Sequence, residues 1–193
     1  MLRKLYDFTM RLAAAPRAKT FLAAVSFVES SLFPIPPDVM LIPMVLANRA
    51  AAWRLAFICS LFSVLGGVLG YFIGLYFYEL VGDAIIGFYG YEQKFLSFSD
   101  SYEEWGGWIV AFFGLTPFPY KVITIASGAV KLNLAVFMVA SVLSRSARFF
   151  LVAWLLKKFG EPIREFIEKY LGILTILFFV LLFGGFIVLK YVF

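Results

Sequence analysis

The chain has no histidine and a single cysteine, Cys59, and only 15% of its 193 residues are charged. The missing histidine removes imidazole acid–base chemistry and the commonest metal ligand. One cysteine in an apolar run excludes a disulfide framework and a thiolate cluster, and reads as a small buried apolar residue. No nucleophile–base pair or metal constellation can be built from what remains. The sequence therefore argues against an enzyme and implies neither cofactor nor metal.

Scarcity of charge is the stronger constraint. A soluble domain has about 25% charged and about 45–50% apolar residues. Here the apolar share is 63% and the mean hydropathy is +0.92. Such a chain cannot cover a water-facing surface, and lipid is the solvent that tolerates it. The net charge of +5 could suggest a nucleic-acid partner, but no basic stripe interleaved with stacking aromatics occurs. The 24 phenylalanines lie in apolar runs, where packing and lipid contact explain them. The expected class is an all-α integral membrane protein.

Three runs reach the roughly 20 residues that a bilayer crossing needs: 53–78, 132–156 and 170–192. The middle one carries Arg145 and Arg148 inside it. Two other apolar stretches are broken. In 20–47 the chain holds Glu29, then Pro34, Pro36, Pro37, Asp38 and Pro43; in 105–130 it holds Pro117 and Pro119. Proline removes a backbone donor and clashes with the preceding turn, so no continuous helix passes either cluster. Each arm is too short to span, and a re-entrant hairpin is the economical reading. Irregular backbone at membrane depth survives only when buried in protein or lining a wet cavity, so the two breaks point to a cavity between them.

Charge orients the chain. Residues 1–20 carry five basic residues against Asp7, and 1–19 read as a basic amphipathic helix on the membrane rather than a cleaved signal. Segment 79–104 has six acids against Lys94. The positive-inside rule then places the N-terminus, Arg49, Arg54 and 157–169 in the cytoplasm, and 79–104 with Lys131 outside.

The two hairpins resemble each other. Phe33-Pro34-Ile35-Pro36-Pro37-Asp38-Val39 aligns without a gap to Thr116-Pro117-Phe118-Pro119-Tyr120-Lys121-Val122, with Asp38 opposite Lys121. Downstream, Ser63 to Phe77 aligns with Ser141 to Leu155, placing Gly67 and Gly70 opposite Arg145 and Arg148. The predicted architecture is an inverted repeat of hairpin plus transmembrane helix, about 20–78 and about 105–156, within a membrane domain at 20–156. Residues 157–193 add an amphipathic linker and a further transmembrane helix. Sites in such repeats lie at the repeat interface near the midplane. Gly66, Gly67, Gly70 and Gly74 read as close-packing positions, serving an internal contact or a homodimer.

The ionisable residues inside apolar segments are Glu29, Asp38, Lys121, Arg145 and Arg148. An intramembrane arginine costs at least about 2.5 kcal/mol on insertion scales, so these groups should have partners. Two guanidiniums and an ammonium suit a phosphate. A carboxyl exchanges protons, and desolvation favours its neutral form, so Glu29 and Asp38 are the residues for proton coupling or for charge pairing. Three readings stay open: an anionic-lipid transporter, a proton-coupled carrier for a cationic solute, and a scaffold whose charges only lock the hairpins.

At these residues the chain resembles the DedA family, also called VTT or SNARE-associated membrane proteins. Its acid followed by an F-P-x-P-acid turn is matched by Glu29 and Phe33-Pro34-Ile35-Pro36-Pro37-Asp38. Its basic residue in a proline hairpin, then a small-residue turn, is matched by 117–121 and Ala126-Ser127-Gly128. The likeness covers 20–156 and is nearest the YqaA-like branch, through 116–121 and Arg148-Phe149. Many relatives carry two arginines in the second hairpin; Lys121 and Leu115 stand there in this chain. The resemblance implies a multi-pass protein of the bacterial inner membrane, similar to scramblases or to flippases for polyprenyl phosphates, some of them driven by protons. The expectation is thus a lipid transporter with Lys121, Arg145 and Arg148 on the headgroup.

Overall fold

The computed structural model describes residues 17–32, 36–82, 86–88, 90, 92–116, 119–160 and 162. The expected helix at 1–19 and the C-terminal span at 170–192 lie, but for residues 17–19, outside them. Pro34 and Pro117 lie outside them too. Within the described residues the chain is helical and has no strand.

The first hairpin is α1 (Ala18–Glu29) and α2 (Asp38–Ala47), broken where the prolines forbid a ladder. Pro37 stands at the N-cap of α2 and Asp38 in its first turn, where proline lacks no needed donor and a carboxylate favours the helix dipole. A short 3-10 turn, Arg49–Ala51, capped by the Asn48 side chain, leads into α3 (Ala52–Phe77). The second half repeats the order: α4 (Glu92–Leu115), a break, α5 (Tyr120–Ala129), then α6 (Leu134–Phe159). Pro119 is the N-cap of α5, and Asn133 caps α6 by accepting from the Ala135 and Val136 amides.

Helices α3 and α6 have 26 residues each, about 39 Å at the helical rise, enough to cross a hydrocarbon core of about 30 Å. Their bounds fall within three residues of the spans read from hydropathy. Helix α4 differs more: it starts at Glu92, not near residue 105. Its first half holds Asp100, Glu103 and Glu104, all exposed. Hydropathy marks only the apolar part of a helix, while glutamate, lysine and serine extend it into water without a break.

The halves exchange arms. Helix α5 packs along α3 of the first half, and α2 packs on α6 of the second, while α1 and α4 lie on the long helix of their own half. The glycines of α3 permit this. A Cβ on Gly74 would run into the Ile125 carbonyl oxygen of α5, and one on Gly66 into the Phe27 carbonyl oxygen of α1. The glycine face is thus taken up by internal contacts.

Two apolar clusters result. One gathers Leu22, Met44, Leu55, Cys59, Ala153 and Leu156 where α3 starts and α6 ends. The other gathers Tyr71, Val110, Tyr120, Ile123 and Phe137 where α3 ends and α6 starts. Buried polar side chains lie between them, among them Ser30, Ser63, Thr124, Ser141, Ser144 and Arg145. The ends of the bundle differ in charge. Arg17, Lys19, Arg49, Arg54, Lys157 and Lys158 are exposed around the first cluster; Glu79, Asp100, Glu103 and Glu104 are exposed beyond the second, with Glu79 paired to Lys131 at 3.1 Å.

Candidate functional site

Ser63 and Arg145 are each the twelfth residue of a 26-residue helix, so they meet near mid-bundle. Arg145 is 1% exposed. Its Nη2 donates to Glu29 Oε2 at 2.9 Å and its Nε to Ser63 Oγ at 2.6 Å. Its guanidinium carbon lies 4.6 Å from the centre of the Tyr120 ring and 4.8 Å from that of Phe149, where a desolvated cation gains from two ring faces.

The hydroxyls next to it have a defined polarity. Ser63 accepts from Arg145, so its own hydrogen goes to Ser30 Oγ, 2.6 Å away. Ser30 then donates onward, with Glu29 Oε2 at 3.0 Å and the Ser26 carbonyl at 3.2 Å as acceptors. Donation runs from Arg145 through Ser63 and Ser30 to Glu29, which also accepts directly from Arg145. The ring joins α1, α3 and α6, and each bond polarises the next.

One turn on, Arg148 donates Nη2 to Asp38 Oδ2 and Nη1 to the Thr116 carbonyl, both at 2.5 Å. This pair is more open, with side-chain exposures of 16% and 19%. Lys121, half-buried in the first turn of α5, donates Nζ to the Leu32 carbonyl at 3.2 Å. No acid pairs with it among the described residues. Thr124 Oγ1, beside Gly70, ties the Ser30 carbonyl at 3.0 Å.

All five ionisable residues singled out from the sequence therefore gather where the hairpin breaks meet α6. The alignment set Asp38 opposite Lys121, but Asp38 pairs with Arg148. Gly70 stands in α3 where Arg148 stands in α6, so Lys121 has no counterpart of that pair. Pro36, Pro37 and Pro119 flank the breaks. Ser30, Ser63, Tyr120 and Thr124 were not singled out. Their signal was hydroxyl groups within apolar runs, which must find partners once buried.

A broken-hairpin bundle with buried ion pairs at its middle defines an all-α membrane protein. The sequence pattern of the VTT domain matches residues 35–158. The chain belongs to this VTT-domain, or DedA, family, which is generally of membrane-transporter type. It is 39% identical over 168 residues to an uncharacterized protein of Haemophilus influenzae, covering 85% of this chain and 87% of that one. It is 37% identical over 168 residues to an uncharacterized protein of Histophilus somni, with the same coverage of 85% and 87%. No solved structure matches the chain.

Proposed function

We propose that this protein moves anionic lipids across the membrane, as a scramblase or flippase, with the headgroup carried on Lys121 and Arg148 at the two breaks and the tail left in lipid. The observation that supports this most is Lys121: a half-buried cation beside the hairpin breaks that donates to a carbonyl and has no acid paired with it among the described residues. An ammonium so placed is available to a phosphate. Arg145 is reassigned. Bonded through Nε to Ser63 and Nη2 to Glu29, covered by two rings and 1% exposed, it holds the hairpin to α6 rather than a ligand. Glu29 shares that structural role, and Asp38, half-buried beside Arg148, is the carboxyl placed to exchange a proton during transport. The two halves are an inverted repeat, and the basic end faces the cytoplasm of the bacterial inner membrane.

Both carboxylates face guanidiniums, which argues against a carrier of cationic solutes. The same pairing favours a second reading, a scaffold in which the charges do nothing but lock the hairpins. Reconstitution into liposomes separates the two. A transporter moves fluorescent phosphatidylglycerol or polyprenyl phosphate faster than protein-free vesicles do, and slows in folded Arg148→Ala. A scaffold leaves the lipid where it was added.

A further inference from the structure

Lys121 and Arg148 share a property that a simple headgroup pocket does not need: each reaches from one half of the molecule to the hairpin break of the other. Lys121 Nζ, in the second half, holds the Leu32 carbonyl at the first break. Arg148 holds Asp38, just past the first break, and with its other nitrogen the Thr116 carbonyl at the second. One guanidinium and one ammonium thus tie the two broken hairpins together. The carbonyls they hold follow the last turns of α1 and α4, where helix geometry leaves such oxygens without a ladder donor.

We propose that Lys121 and Arg148 form a clamp between the two breaks, and that a phosphate group opens it by taking the places of the Leu32 and Thr116 carbonyl oxygens. A carbonyl offers these cations only a dipole, whereas a phosphate offers a full negative charge and, to the guanidinium, a bidentate pair. A phosphate that reaches the cations therefore wins them from the carbonyls. Charge points the same way. Arg145 and Glu29 cancel, Asp38 cancels one of the two clamp cations, and one positive charge is left for an anion. The clamp rests on the reading that these cations receive the headgroup. It adds that receipt parts the hairpins, so the site is closed until its ligand arrives. Arrival of a ligand can shift the two arrangements only through this difference in contacts.

The test uses the full chain in nanodiscs of phosphatidylcholine, with Cys59→Ala as background and spin labels on Leu32→Cys and Val122→Cys. Both native side chains are exposed, and the labels flank the Lys121–Leu32 contact. Dipolar broadening is recorded before and after adding phosphatidylglycerol, phosphatidic acid or inorganic phosphate. The clamp predicts strong broadening in phosphatidylcholine and its loss with an anionic lipid. Loss with inorganic phosphate as well supports the clamp and shows that a free anion suffices. Lys121→Gln should show weak broadening throughout, while Lys121→Arg restores the response. Broadening that every anion leaves unchanged overturns the clamp, whether or not lipid moves. Loss of broadening without lipid translocation in liposomes overturns transport and leaves the clamp standing.

Discussion

The guanidinium of Arg145 lies 2.9 Å from the carboxylate of Glu29, 116 residues away in sequence, and joins the first hairpin, at its break, to the middle of α6. Both groups are buried, so each is the condition for the other being there. Removing one partner of a buried pair costs about 3–5 kcal/mol, because the remaining charge is left uncompensated. Glu29→Ala and Arg145→Ala should each lose that much by unfolding in detergent. Replacing both together, Glu29→Leu with Arg145→Met, should recover much of it.

Ser63 is the hydroxyl between that arginine and the first hairpin. Ser63→Ala strands Arg145 Nε and should cost about 1–3 kcal/mol. Because Ser30 depends on the same ring, Ser30→Ala and Ser63→Ala should be non-additive in a double-mutant cycle. Equal and independent losses would show that the hydroxyls act separately.

Helix α5 can lie against α3 only where side chains are missing. Gly74→Leu should prevent the close approach to Ile125, with overpacking of at least about 1–3 kcal/mol. Leu65→Ala, on the exposed face of the same helix, should change stability little. Thermal unfolding of both variants in detergent checks the contrast.

Much of this arrangement was legible in the chain. Prolines mark the breaks because backbone chemistry admits no other outcome there, and Arg145 and Arg148 stand out because charge in an apolar helix has to be answered. Which acid answers which cation was not legible. Asp38 faces Lys121 in the repeat alignment, yet it pairs with Arg148, because partners are chosen by the exchange of arms between halves, a tertiary event. Nor did the sequence separate the locked Arg145 from the accessible Lys121. That distinction comes from the Tyr120 and Phe149 rings, which converge only in the folded bundle. The polar start of α4 escaped for a simpler reason: hydropathy is blind to a helix in water.

The charge at the two ends predicts orientation. With Cys59→Ala as background, Glu103→Cys should react with an impermeant thiol reagent on intact cells. Arg54→Cys should react only after permeabilisation. The opposite pattern would invert the assignment of sides.

The most direct test of the central claim is the translocation of a fluorescent anionic lipid by Lys121→Gln in liposomes. The side chain is half-buried, forms no ion pair among the described residues and donates to one carbonyl, so the variant should lose no more than about 1–3 kcal/mol of stability and still fold. Loss of a charged contact worth roughly 1.5–3 kcal/mol should slow translocation by about tenfold or more. A folded Lys121→Gln that moves the lipid at the wild-type rate would contradict the account.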